Sequence, residues 1–305
     1  MARAQRFLPL VLLVALGASG LAAQKPGVRV TYLYDNTVAT PQVKPDWGFA
    51  CLVESDGRKV LFDTGANDSI LRGNLAALNV DLAGLHALVL SHDHGDHTNG
   101  LAALGKRPAL PAYYAEGFSQ QVVSRIMAAG MTAVPVTRSL EIFPGFRVSD
   151  RMVFTQQPAA SGEAGRAASP TQIVEVAVTV DTRDGLLVVV GCAHPGIVPM
   201  LRQIKQTTNR PIHMVLGGFH LLQTPADQVK QIISDFKAIG VAYAGPTHCT
   251  GEEAIRLFRE AYGDHFIKGG AGTVVEAPMT GGMSGLSRES KGRQPLGATI
   301  PLPDV

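Results

Sequence analysis

Ser91-His92-Asp93-His94-Gly95-Asp96-His97 concentrates three imidazoles and two carboxylates within six residues, from His92 to His97. The apolar run 87–90 leads straight into it and reads as a strand. Imidazole and carboxylate together suit zinc and neighbouring divalent transition metals. In an extended segment, residues two apart face the same side, so His92 and His94 can grip one ion. Asp96 and His97 follow at a turn, where they can address a second ion nearby. The strand-end position separates this cluster from an ordinary solvated run of polar residues.

Outward from this stretch, strands and helices alternate. The runs 28–33, 48–53 and 60–62 read as strands. Residues 67–78 read as a helix with Ile70, Leu71, Leu75 and Leu78 on one face. On the far side, 119–129 reads as a helix and 147–154, 173–180 and 186–190 as strands. The Ala-, Gly- and Ser-rich segment 157–169 reads as an exposed loop. In the last third, 197–205 is helical and 212–216 and 241–244 are strands. Thr224-Pro225-Ala226-Asp227 reads as a helix start, with Thr224 capping and Pro225 in the first position. A final helix over 252–262 opens on two acids and closes at Gly263. A mixed α/β architecture with helices outside sheets accommodates this order.

The pattern His92-x-His94-x-Asp96-His97 resembles the signature of the metallo-β-lactamase fold superfamily, and Asp63 in Phe62-Asp63-Thr64-Gly65 resembles its preceding structural Asp. Further stretches are similar to the branch named for 7,8-dihydropterin-6-methyl-4-(β-D-ribofuranosyl)aminobenzene-5′-phosphate synthase. They are Tyr34-Asp35-Asn36, Leu90-Ser91-His92, Gly191-Cys192-Ala193-His194-Pro195-Gly196-Ile197, Gly217-Gly218-Phe219-His220-Leu221 and Thr247-His248-Cys249-Thr250-Gly251. The resemblance implies an αβ/βα sandwich of two mixed β-sheets with outer helices and a metal site along one edge. It implies that His92, His94 and His194 hold a first divalent ion and Asp96, His97 and His248 a second. Zinc is the first expectation for the metal, with manganese or iron as alternatives. Gly191-Cys192 stands where many superfamily members carry Gly-Asp with a bridging Asp, so Cys192 is either a thiolate ligand or a buried small residue. His220 is expected to contact substrate or an anion, or to support a ligand. Asp96 is expected to orient a water and take its proton. Cys249 reads as packing, Cys51 as core, and a Cys192–Cys249 disulfide as an alternative to metal ligation. His86, His213 and His265 fit no motif.

The 305 residues are 46% hydrophobic and 17% charged, an ordered, core-forming composition. Three Cys are too few for a disulfide scaffold. Residues 1–23 read as a signal peptide: Arg3 and Arg6, then an apolar run over 7–16, then small residues to a cleavage site at Ala22 or Ala23. Residues 24–278 are expected to form the catalytic domain and 279–305 a flexible Gly-, Ser- and Pro-rich tail. The formal charge of +2 disappears with Arg3 and Arg6. A neutral mature chain has no footprint for nucleic acid. The expected partner is a small-molecule substrate, with no stable membrane association after cleavage, in the periplasm or outside the cell. The expected activity is metal-dependent hydrolysis of a phosphoester or a carboxylic ester, lactone or amide. The alternatives are a transferase like the branch's namesake and a non-enzymatic metal-binding protein.

Overall fold

Runs of Val, Leu and Ile lay down two sheets that pack face to face in a computed structural model, which describes residues 27–156 and 171–278. The expected signal at 1–23, loop at 157–169 and tail at 279–305 lie outside the described residues. The first sheet begins with antiparallel β1 (Gly27–Tyr34), β2 (Ala50–Ser55) and β3 (Arg58–Phe62). After α1 (Asp68–Ala77), the strands β4 (Ala87–Leu90), β5 (Pro111–Ala115) and β6 (Thr132–Val136) continue it in parallel. The short helix α2 (Gly95–Thr98) follows β4, and α3 (Gln120–Ala128) joins β5 to β6.

The second sheet takes β7 (Leu140–Phe143) and β8 (Phe146–Val148), while β9 (Met152–Gln156) and β10 (Thr171–Glu175) pair apart as a two-stranded ladder. It is completed by β11 (Val178–Thr182), β12 (Gly185–Val190), β13 (Ile212–Gly218) and β14 (Tyr243–Thr247), with the last three parallel. Helices α4 (Ile197–Thr208), α5 (Ala226–Ile239) and α6 (Glu252–Tyr262) cover its outer face, and β15 (Val274–Pro278) returns to pair with β1. This is the expected sandwich of two mixed sheets with helices outside.

Strand β12 shows how period-two patterning builds it. Leu187 and Val189 join the core between the sheets, whereas Leu186, Val188 and Val190 join the core beneath α4, α5 and α6. A strand buried on both faces is a continuous apolar run, as parallel sheets require. Helix α1 is capped by Asn67, whose side chain accepts from the backbone N–H of Ser69 and Ile70.

Several boundaries differ from the sequence reading. The runs 147–154 and 173–180 each split in two and serve different sheets. Ser149 causes the first break: its N–H donates to Ala177 O and its Oγ accepts from Ala177 N–H. The second falls at Val176, whose N–H turns away to donate to Ser91 O at 2.9 Å. Helix α5 starts at Ala226, with Pro225 flanking it and no side-chain cap from Thr224. Strands β5, β6, β14 and β15 contain Pro. Pro111 opens β5, Pro135 lies in edge strand β6, and Pro278 ends edge strand β15.

Candidate metal centre

Five strands end at one edge. β3 delivers Asp63, β4 the run from Ser91 to His97, β12 delivers Cys192 and His194, β13 His220, and β14 His248. β3 and β4 run parallel to each other, as do β12, β13 and β14, so their carboxyl ends open on a common rim. The chain bends sharply as it leaves them. Asp63, Ala193, His220 and His248 adopt left-handed φ values of 57°, 59°, 54° and 51°. Such conformations cost on the order of 1–3 kcal/mol each and persist only where the surroundings over-determine them.

The donors converge in two adjoining sets. His92 Nε2 lies 3.3 Å from His194 Nε2, and the His94 ring sits 4.7 Å from His92 and 4.8 Å from His194 between centroids. Beside this trio, His97 Nε2 is 3.2 Å from His248 Nε2. Asp96 Oδ2 is 3.3 Å from His248 Nε2 and 3.7 Å from His97 Nε2. Cys192 Sγ is 3.2 Å from His97 Nε2 and belongs to both sets: it lies within 4.8 Å of the donor atoms of His92 and His194, and of those of Asp96, His97 and His248.

A hydrogen-bond chain behind the rim fixes which ring nitrogens face it. Asp63 is fully buried. Its Oδ1 accepts the Ser91 N–H at 2.7 Å, and its Oδ2 takes both the Ser91 hydroxyl and His97 Nδ1 at 2.7 Å. Ser91 Oγ, having donated its proton to Asp63, accepts from His92 Nδ1 at 2.9 Å. On the other side His248 Nδ1 meets Asn36 Oδ1 at 2.9 Å, and Asn36 Nδ2 returns a bond to His248 O at 3.1 Å. His92, His97 and His248 therefore keep their protons on Nδ1 and turn Nε2 lone pairs toward the rim. Nε2 atoms of His97 and His248 only 3.2 Å apart, and of His92 and His194 only 3.3 Å apart, face one another across the rim, and a divalent ion fits this nitrogen, carboxylate and thiol set.

Electrostatics set the imidazoles apart. Burial, reinforced by the surrounding imidazoles, drives His92 well below its ordinary range and His194 down to about 3. Burial opposes charge on His97 too, but the Asp63 carboxylate outweighs it and raises this imidazole to about 8. Partial burial likewise works against the Asp96 carboxylate, yet His248 and His97 hold it far below the usual carboxylate range. Burial also pushes the Cys192 thiol up.

All the anticipated residues, His92, His94, Asp96, His97, Cys192, His194, His220 and His248, meet at this rim. The His220 ring packs against that of His194, with 4.3 Å between centroids and a 53° tilt, and is exposed. Asp93 turns away and accepts from the Ser119 N–H at 2.9 Å. Cys51 is buried in the core, and Cys51, Cys192 and Cys249 are all free thiols, so Cys192 and Cys249 form no disulfide.

Two contributors have no motif to announce them. Trp47, 48% exposed, donates its Nε1–H to Asp96 Oδ2 at 3.0 Å and packs 5.0 Å from the His248 ring. The only Trp of the chain was the available signal. Glu175 is fully buried on β10 and accepts the backbone N–H groups of Cys192, Ala193 and His194 at 3.0, 2.8 and 2.8 Å. Burial raises it to about 7 against the pull of those donors. A single acid inside the apolar run 173–180 was its signal.

Comparison with known proteins agrees with this geometry. The metallo-beta-lactamase superfamily model matches residues 45–119. The 7,8-dihydropterin-6-methyl-4-(beta-D-ribofuranosyl)-aminobenzene-5'-phosphate synthase of Methanocaldococcus jannaschii is 27% identical over 261 residues, 75% of this chain and 88% of that protein. The crystal structure of Tm1679, described as a metal-dependent hydrolase of the beta-lactamase superfamily, superposes with a TM-score of 0.66 at 26% identity, over 82% of this chain and 99% of the other. The metallo-beta-lactamase fold protein YhfI from Bacillus subtilis shares the fold at a TM-score of 0.57 and 14% identity, over 82% of this chain and 100% of the other. Residues 45–119 thus match the metallo-β-lactamase superfamily, and the similarity to these relatives extends over 75% and 82% of the chain.

Proposed function

We propose that this metallo-β-lactamase superfamily domain is an exported metal-dependent hydrolase that uses a metal-activated water on a phosphoester or a carboxylic ester, lactone or amide. The observation that carries the reading is the pair of adjoining donor sets with Nε2 lone pairs turned to an open rim. In this reading His92, His94 and His194 hold one ion, Asp96, His97 and His248 hold another, and Cys192 stands between them. Zinc suits the donors best, with manganese or iron as alternatives. A divalent ion bound there supplies a Lewis acid and lowers the pKa of coordinated water toward ~7.

The chain's own residues do the rest. Asp63 and Ser91 hold His92 and His97 in the tautomer that presents Nε2. Asn36 does the same for His248. Asp96, fixed by the Trp47 indole, orients the attacking water and accepts its proton. Glu175 clamps the loop that carries Cys192 and His194. His220 reaches from the rim toward the polarised oxygen of the substrate.

The test combines metal analysis of purified protein with a panel of phosphomonoester, phosphodiester, lactone and β-lactam substrates. Turnover that needs stoichiometric metal and disappears in His92→Ala/His94→Ala supports the reading. Full turnover in the metal-free double variant would sink it. A second reading, transfer of a dihydropterin to a ribosyl-aminobenzene phosphate, rests on the 27% identical synthase. Coupled product from those two substrates would select it. Export rests on residues 1–23 alone, and the amino-terminal sequence of protein recovered outside the cytoplasm tests it.

A further inference from the structure

Cys192, His220 and Cys249 converge where none of the six His and Asp donors is needed. Cys192 Sγ, Cys249 Sγ and one nitrogen of His220 all lie within 4.8 Å of one another. Donors around a tetrahedral ion with Zn–S of ≈ 2.3 Å stand ~3.8 Å apart, so a slight contraction closes this triangle on an ion. We propose that Cys192, His220 and Cys249 form a further cation site, selective for thiophilic and borderline ions such as Cd(II), Zn(II) or Co(II), which shares Cys192 with the His/Asp centre.

Three features of the fold build this site. Cys249 and His220 lie on different strand exits, yet the two exits are tied together. The Phe219 N–H donates to Thr250 Oγ1 at 3.0 Å, Thr250 Oγ1 donates to Thr247 O at 2.6 Å, and the Leu222 N–H donates to Cys249 O at 3.3 Å. His220 is held at φ 54°, which returns its ring to the rim, 4.3 Å from the His194 ring between centroids. Room for the sulfur comes from Gly218, where a Cβ would stand 2.8 Å from Cys249 Sγ and 2.5 Å from Gly191 O.

Two thiols and one imidazole are soft and borderline donors, which select against Mg(II) and Ca(II). Cys192 and Cys249 are only 3% and 4% exposed, whereas His220 is exposed, so the ion enters from the His220 side. A soft ion seated here draws on the Cys192 sulfur and thereby loosens its hold on the neighbouring centre. The site does not depend on the hydrolase reading: it can bind in a protein that hydrolyses nothing, and it can fail in an active one.

Cadmium is the probe. Crystals of the full chain soaked in Cd(II) should show an anomalous peak within bonding distance of both Cys249 Sγ and His220. Peaks confined to the His92 to His97 side overturn the site. In solution, Co(II) titration followed by the thiolate-to-cobalt charge-transfer band gives an independent readout. Wild type should bind an additional Co(II) equivalent and show a stronger band than Cys249→Ser, while the ion held by the His/Asp donors persists in both. Equal stoichiometry and equal band strength in the two proteins overturn the proposal.

Discussion

Asp63→Asn is expected to empty the metal centre while leaving the fold in place. The change is isosteric, so packing around this fully buried residue is preserved. Its effect is on proton positions. The introduced amide oxygen can still accept the Ser91 N–H, but the amide NH2 now faces Ser91 Oγ and His97 Nδ1, which both meet the carboxylate at 2.7 Å in the native protein. Both must become acceptors. His97 then carries its proton on Nε2, and Ser91 Oγ–H turns toward His92 Nδ1, forcing that proton to Nε2 as well. One substitution thus turns two metal-facing lone pairs into N–H groups. Disrupting a single supporting contact typically costs about 10–100-fold in metal affinity. With two imidazoles inverted, the expected loss is at least ~100-fold, or about 2.8 kcal/mol. The apoprotein also exchanges charge-assisted bonds worth roughly 1.5–3 kcal/mol each for neutral ones, so its melting temperature falls, but it stays folded. Zinc competition against a chromophoric chelator measures the affinity, with circular dichroism to verify the fold. A folded variant that binds zinc as tightly as wild type would refute the account of the Asp63 chain.

Chelation should destabilise the native protein: an ion present at ~100 times its Kd contributes about 2.7 kcal/mol. At roughly 2–4 °C per kcal/mol for a domain of this size, the melting midpoint should drop by about 5–10 °C, return on adding zinc, and show no such response in His92→Ala/His94→Ala. Gly191→Ala places a Cβ 2.1 Å from Ser91 Oγ and 2.6 Å from Ser91 Cβ, so Ser91 must move off Asp63. Overpacking of this kind costs about 1–3 kcal/mol, and an unchanged melting curve would contradict it. Glu175→Gln keeps an acceptor for Cys192 and Ala193 but turns an NH2 toward the His194 N–H. A loss of roughly 1–3 kcal/mol follows from the unpaired buried donors, read as a lower urea midpoint; a midpoint equal to wild type would remove Glu175 from its clamping role.

How far the sequence can be read depends on where the contacts lie. His92, His94, Asp96 and His97 share one turn of chain, so spacing alone brought them together. His194, His220 and His248 lie past the ends of separate strands far along the chain; Cys192 and Cys249 stand near His194 and His248, and His220 has no candidate ligand beside it. Only resemblance joined them to the first group, because residue spacing carries no information about contacts between strand exits. Glu175 was missed for a related reason. Hydrophobic periodicity runs unbroken over 173–180 and reads as one strand, whereas the chain bends at Val176 and enters a second sheet. That bend is held by the Val176 N–H donating to Ser91 O, which belongs to the metal-facing stretch itself. It carries Glu175 beneath the loop from Cys192 to His194, where the carboxylate meets three backbone N–H groups. The break in the strand is thus part of the site: a straight strand over 173–180 would satisfy the periodicity and leave that loop without its acceptor.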